Sequence, residues 1–183
     1  MNTPPGASLP LMELEIFRHP DAPRQGHAIR REAVRGVIRD GRRLLMIYSS
    51  VNTDYKFPGG GRKDGETLPQ TLQREVEEEC GATITHVDAF LGKVTEYDLP
   101  YENGYQLFQM TSYYYLCRIS DEQKPPDLDE YERRLGFQPI WVDIEDALRA
   151  NRFVLTNRFS NIPKWTARET RVLEYLRQHL ITG

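Results

Sequence analysis

The segment GGGRKDGETLPQTLQREVEEECGA, residues 59–82, constrains this chain more than any other stretch. Thr67-Leu68-Pro69-Gln70 has the form of a capping box, with a threonine N-cap, proline in the first turn and glutamine three residues on. Gly81 supplies the left-handed stop that helix ends favour. The spacing predicts a helix from about Leu68 to Cys80, with Leu68, Leu72 and Val76 as its buried stripe. A helix closed at both ends and apolar along one side has to lie against another layer of the fold.

The acids of this helix fall in an unexpected place. At about 100° per residue, Glu79 continues the line of the apolar stripe, Glu75 lies beside it, and Glu77 points away. Glu75, Glu78 and Glu79 converge, because residues three and four apart are neighbours on a helix. Like charges so placed cost about 0.2–0.5 kcal/mol per pair. Anions in a last turn oppose the helix dipole by about 0.3–1 kcal/mol each. A local rule broken this consistently marks a functional site, and convergent carboxylates suit a hard divalent cation, Mg2+ or Mn2+. The competing reading is a solvated acidic face balanced by Arg74 and Arg171.

Strand-like segments surround the helix. LMELEIF (11–17) alternates, and two β-like runs at 31–38 and 42–50 flank Asp40-Gly41, a hairpin signal. Residues 84–99 and 105–120 read as longer strands, and 137–144 as another. The acidic, proline-containing segment 121–134 reads as a loop with room for one helical turn. A short helix is expected to begin at EDALRAN, and Val172, Leu173, Leu176 and Leu180 give the C-terminal segment 165–180 an amphipathic helical pattern. Strands with inserted helices predict an α+β or α/β/α arrangement.

The chain of 183 residues fits one domain with a small extension, and residues 1–10, with three prolines and a glycine, read as a flexible tail. Its net charge of −3 gives no electrostatic reason to expect nucleic acid or a membrane surface as partner, and no DNA-binding segment is evident. No apolar run approaches the roughly 18 residues of a membrane span. The opening MNTPPGASLP lacks a basic stretch followed by an apolar core, and Cys80 and Cys117 are the two cysteines. A cytoplasmic protein with reduced, buried thiols is expected.

With its flanks, the segment reads Gly60, five residues, Glu66, seven residues, then Arg74-Glu75-Val76-Glu77-Glu78-Glu79-Cys80-Gly81-Ala82. It resembles the Nudix box, the signature of the Nudix hydrolase family. Ala82 departs from the pattern, where a bulkier aliphatic is usual, and Ile84 is placed to supply the missing packing. The likeness extends over most of residues 31–150, including the Trp141-Val142 strand that leads into a helix.

The resemblance implies an α/β/α sandwich with a mixed sheet and the box as a loop-helix-loop. The domain would span residues 31–183, preceded by an extension over 1–30. It implies hydrolysis of a nucleoside diphosphate linked to another group, with Mg2+ or Mn2+. Carried over by position, Glu75 and Glu79 would bind metal, with Glu78 a further ligand or water-activating group. The Gly59 carbonyl would bind metal, Arg74 would orient the glutamates and Glu66 would brace the loop. A further acid outside the box is expected among Glu130, Glu132, Glu96 and Glu102, with Glu132 preferred; its alternative is a solvated loop residue.

Arg18, Arg24, Arg30, Arg31, Arg35, Arg39, Arg42 and Arg43 supply candidate phosphate clamps, although most suit the outward side of exposed strands. Tyr55, Tyr97, Tyr101, Tyr105 and Phe108 are candidates to stack on a base, with packing as the alternative for each. Arg158, Phe159 and Trp165 are candidate lid or dimer residues, and the N-terminal strand either extends a sheet or exchanges within a homodimer. Two functions follow: a metal-dependent pyrophosphohydrolase, or a Nudix-like domain that senses a nucleotide without cleaving it.

Overall fold

The computed structural model describes residues 10–157 and 162–180. Most of the expected tail, and the candidate lid residues Arg158 and Phe159, lie outside the described residues. The elements run β1 (Met12–Phe17), β2 (Ala28–Asp40), β3 (Arg43–Ser49), β4 (Asp54–Lys56), α1 (Leu68–Cys80), β5 (Ala82–Asp98), β6 (Leu107–Gln123), α2 (Glu130–Arg134), β7 (Phe137–Asp143), α3 (Ile144–Asn157) and α4 (Thr166–His179).

The mixed sheet follows the order β1-β5-β6-β2-β3-β4, with β7 also paired to β3. Strand β1 runs parallel to β5, β5 antiparallel to β6, and β6 parallel to β2. Strand β2 meets β3 through two register pairs, Arg39–Leu44 and Asp40–Arg43, so β3, β4 and β7 form a smaller antiparallel leaf. The turn residues are therefore Gly41 and Arg42 rather than Asp40 and Gly41. Gly41 takes a positive φ of 58°, and Asp40 remains in the ladder, where its carboxylate pairs with Arg43.

Both sides of the sheet are covered, as the alternation along β3 requires. Leu44 and Met46 enter one core with Val37, Phe57, Tyr114, Leu148, Val172 and Leu176, beneath α3 and α4. Leu45 and Ile47 enter the other with Val34, Ile38, Leu72 and Val76, beneath α1. This is the α/β/α sandwich of the expected α+β class. Helix α1 sits close on β2 because Gly36 leaves room: a Cβ there would meet Val76 at 3.2 Å. Its predicted caps are in place, with Thr67 and Gln70 forming the capping box and Gly81 at φ 64°.

Helix α2 occupies the acidic segment where a single turn was expected, and the three-residue β4 was not anticipated. Cys80 and Cys117 are buried and free. Among the described residues, no helix is long and apolar enough to cross a membrane.

Candidate active site

Strand β4 delivers Phe57 and Pro58 to a glycine loop that lies along β2. The Gly36 amide donates to the Pro58 carbonyl at 2.8 Å, and the Val34 amide to the Gly60 carbonyl at 3.0 Å. Gly59 has φ 137°, and a Cβ there would stand 2.1 Å from the Val34 carbonyl. At Gly60 a Cβ would stand 2.4 Å from Oε2 of Glu75. Backbone and carboxylate thus approach to distances that any side chain would prevent.

The helix brings its acids to this loop as the 3.6-residue period requires. Glu79 is 1% exposed and Glu75 9%, while Glu78 is half-buried and Glu77 turns outward. Glu79 Oε2 accepts from the Gly59 amide at 2.7 Å, and its Oε1 accepts from Lys56 Nζ at 2.5 Å. Arg74 Nη1 donates to Glu75 at 2.7 Å and Glu78 at 2.9 Å. The same guanidinium donates to Glu66 through Nε at 2.7 Å and Nη2 at 3.0 Å, and to the Gly61 carbonyl at 3.2 Å. Arg74 therefore ties the loop to two of the three convergent acids. Burial, reinforced by the neighbouring Glu79 carboxylate, pushes the Glu75 carboxyl up despite Arg74. The hydrogen bond from Arg74 holds Glu66 down, at about 2.

The Gly59 carbonyl accepts from Arg35 Nη1, and from Lys56 Nζ at 3.3 Å. Beside it opens a cavity of about 650 Å³ lined by the glycine loop and the three acids. Lys63, Arg133 and Glu132 stand on its walls, with Phe137 and Trp165. Glu132 caps α2, accepting from the Asp129 amide at 2.8 Å. Burial and the nearby Glu79 carboxylate push the Glu132 carboxyl up to about 7.

A second charged cluster lies beneath this floor. Arg168 of α4 donates to Glu96 at 2.7 Å, to Glu169 at 2.7 Å and to the Tyr114 hydroxyl at 3.1 Å. Arg18 closes on the other oxygen of Glu96 at 2.5 and 2.9 Å. Tyr114 donates to Glu169 at 3.1 Å, and Arg35 lies 3.9 Å from the same carboxylate. Burial alone would raise the Glu96 carboxyl, but Arg168 and Arg18 outweigh it and hold it below its ordinary value.

The structure separates the sequence candidates. Glu132 reaches the cavity; Glu96 is locked in the lower cluster, Glu130 pairs with Arg134, and Glu102 is exposed. Of the eight N-terminal arginines, Arg35 is the one lining the cavity among the described residues. Tyr97 stacks on Phe17 and Tyr105 on His27, while Tyr101 leans on Phe108 and Tyr55 on Tyr48, all outside the cavity lining. Lys56 and Arg168 were not anticipated. The signal for Lys56 was its place three residues before Gly59; for Arg168, which lies on an ordinary amphipathic helix, there was none.

A family model described as NUDIX domain matches residues 29–162. The chain belongs to the Nudix family. An RNA pyrophosphohydrolase from a Nitratiruptor species is 29% identical over 92 residues, covering 49% of this chain and 59% of that protein. An RNA pyrophosphohydrolase from Campylobacter jejuni subsp. doylei is 27% identical over 93 residues, covering 46% of this chain and 60% of that protein. The matches thus span three fifths of these relatives' length. A crystal structure described as a MutT NUDIX hydrolase from Burkholderia pseudomallei superposes with a TM-score of 0.50 at 19% identity, covering 78% of this chain and 97% of that one. That likeness concerns the Nudix fold.

Nudix hydrolases generally use divalent metals. Among the described residues, no three carboxylate, imidazole or thiol groups stand in a ready-made cation cage. The acids are engaged with resident cations instead: Glu75 and Glu78 with Arg74, and Glu79 with Lys56. The donor set nevertheless fits a hard divalent ion, since every donor is an oxygen and two are buried carboxylates against a glycine loop.

Proposed function

We propose that this chain hydrolyses the diphosphate linkage of a nucleoside diphosphate derivative, with Mg2+ or Mn2+ and a water molecule. The substrate class is a nucleotide sugar, an ADP-ribose-like compound or a modified nucleoside triphosphate. The observation that carries this reading is the burial of two like-charged acids, Glu75 and Glu79, beside a glycine loop at the edge of an open cavity. Such a cluster is costly as structure and useful as a cation site.

Glu75, Glu78, Glu79 and the Gly59 carbonyl would hold the ion, which when bound neutralises diphosphate charge and makes a coordinated water more acidic. Where it does not itself bind the ion, Glu78, half-buried and lining the cavity, would take the water's proton. Glu132, on the cavity wall near Glu79, is a second carboxylate available to accept a proton. Arg74 holds Glu75 and Glu78 in place, and Glu66 holds Arg74. Lys63 and Arg133, on the cavity walls, are cations available to the substrate's phosphate oxygens.

The catalytic unit is taken as residues 31–183, with 1–30 an extension whose β1 adds the sheet edge beside β5. A cytoplasmic setting and a homodimer accord with this reading. The test is a panel of nucleotide sugars, ADP-ribose, modified nucleoside triphosphates and 5′-phosphorylated RNA, assayed for phosphate or pyrophosphate release with Mg2+ and Mn2+. RNA belongs in the panel because of the relatives' name. Cleavage of at least one compound, reduced about a hundredfold or more in Glu79→Gln, is expected, the scale of removing one preorganised electrostatic group. Turnover unchanged in that variant counts decisively against the proposal. Strong thermal stabilisation by nucleotides without any cleavage identifies a sensor instead.

A further inference from the structure

We propose that Lys56 is the resident counter-cation of this site: its ammonium holds Glu79 and the Gly59 carbonyl while no metal is bound, and yields both to the divalent ion. This rests on the metal-dependent reading above and concerns how the site is kept intact before loading.

Lys56 is the last residue of β4, paired with Ile47 of β3, and its side chain is 9% exposed. Its ammonium touches the two oxygens that flank one expected coordination position, Glu79 Oε1 at 2.5 Å and the Gly59 carbonyl at 3.3 Å. It also lies 5.1 Å from the centroid of the Phe137 ring. A buried carboxylate such as Glu79 demands a cation, so without Lys56 the metal-free protein would hold an uncompensated charge. An ammonium and a divalent ion compete for the same oxygens, because each repels the other at that distance.

Three cations near the acids differ in how firmly they are tethered. Arg74 is held by both oxygens of Glu66 and by the Gly61 carbonyl, so it has anchors apart from Glu75 and Glu78. Arg35 donates to the Gly59 carbonyl as well, and its guanidinium lies 3.9 Å from Glu169 of the lower cluster, an anchor apart from the metal-site oxygens. Lys56 combines a flexible four-carbon stem with contacts to the two metal-site oxygens and one ring face, and it borders the cavity into which it can turn. A lysine here thus preorganises the acids at the expense of metal affinity.

The experiment compares wild type, Lys56→Met and Lys124→Met by Mn2+ titration, using calorimetry and the electron paramagnetic resonance of free Mn2+, and by thermal melting in EDTA and in Mn2+. Lys124 pairs with outward-facing Glu77 at 3.8 Å, so its variant makes the same charge change away from Glu79. Lys56→Met is expected to bind Mn2+ about tenfold tighter than wild type, as removal of one nearby positive charge in a partly shielded site implies. It should also melt lower in EDTA and gain more from Mn2+, with Lys124→Met at wild-type affinity. Equal or weaker Mn2+ binding by folded Lys56→Met, with wild type binding normally, overturns this inference and leaves the proposed function standing. Wild type that binds no Mn2+ overturns both. Should Lys56→Met fail to fold, Lys56→Arg decides: its forked grip on Glu79 should weaken Mn2+ binding, and unchanged or tighter binding overturns the inference.

Discussion

Two clusters of buried charge are linked at the Gly59 carbonyl through Arg35, and they solve opposite problems. In the lower one, Glu96 and Glu169 are interleaved with Arg168, Arg18 and Tyr114, and the Arg168 guanidinium donates from Nε, Nη1 and Nη2. In the upper one, the Glu79 carboxylate stands near enough to Glu75 to disfavour its charge, and both border an open cavity. The lower cluster is a closed polar network that joins the N-terminal segment, β5, β6 and α4. The upper is left with capacity for another cation. Burial alone distinguishes neither; the arrangement of signs does.

That contrast can be broken experimentally. The largest effect is expected from Arg168→Met, which takes from Glu169 its hydrogen-bonded cation, leaves Glu96 with Arg18 alone and should lower unfolding free energy by about 3–5 kcal/mol, measured by urea denaturation. A loss under about 1 kcal/mol would mean that the lower cluster is not a closed network. Glu79→Gln should do the reverse, leaving the protein folded while hydrolysis falls. Thr67→Ala, which removes the cap of the helix carrying the upper acids, should cost about 1 kcal/mol in the same urea assay. An unchanged midpoint would show that packing of Leu72 and Val76 alone sets the helix start.

The smallest effect concerns pH. Glu66 is held down from its ordinary value of 4.5 to about 2, chiefly by its hydrogen bond from Arg74. Because the folded value lies below the unfolded one, this stabilisation is complete above about pH 4.5 and disappears as pH falls towards 2. Urea midpoints of wild type and Glu66→Gln should therefore converge between those pH values. A difference independent of pH would remove the Glu66–Arg74 clamp from the account.

Much of the upper site was legible beforehand. The caps of α1 are local, joining residues three apart, so Thr67, Gln70 and Gly81 announced the helix without reference to the fold. Its period then placed Glu75 and Glu79 on the packed side. The lower cluster was not legible, because Glu96 and Arg168 are 72 residues apart and each sits in an ordinary amphipathic pattern. Glu132 illustrates the intermediate case: its acidic loop was visible, but its approach to the cavity required α2 to form and β7 to turn the chain back.

The chain by itself determined the longer strands, the capped helix and the line of acids along it, since these depend on backbone conformation and side-chain period over a few residues. Only the tertiary structure decided which cation meets which acid. Lys56 reaches Glu79 across 23 residues because β4 and α1 are both set against β2 and β3, and sheet register, unlike helical period, is agreed between distant segments.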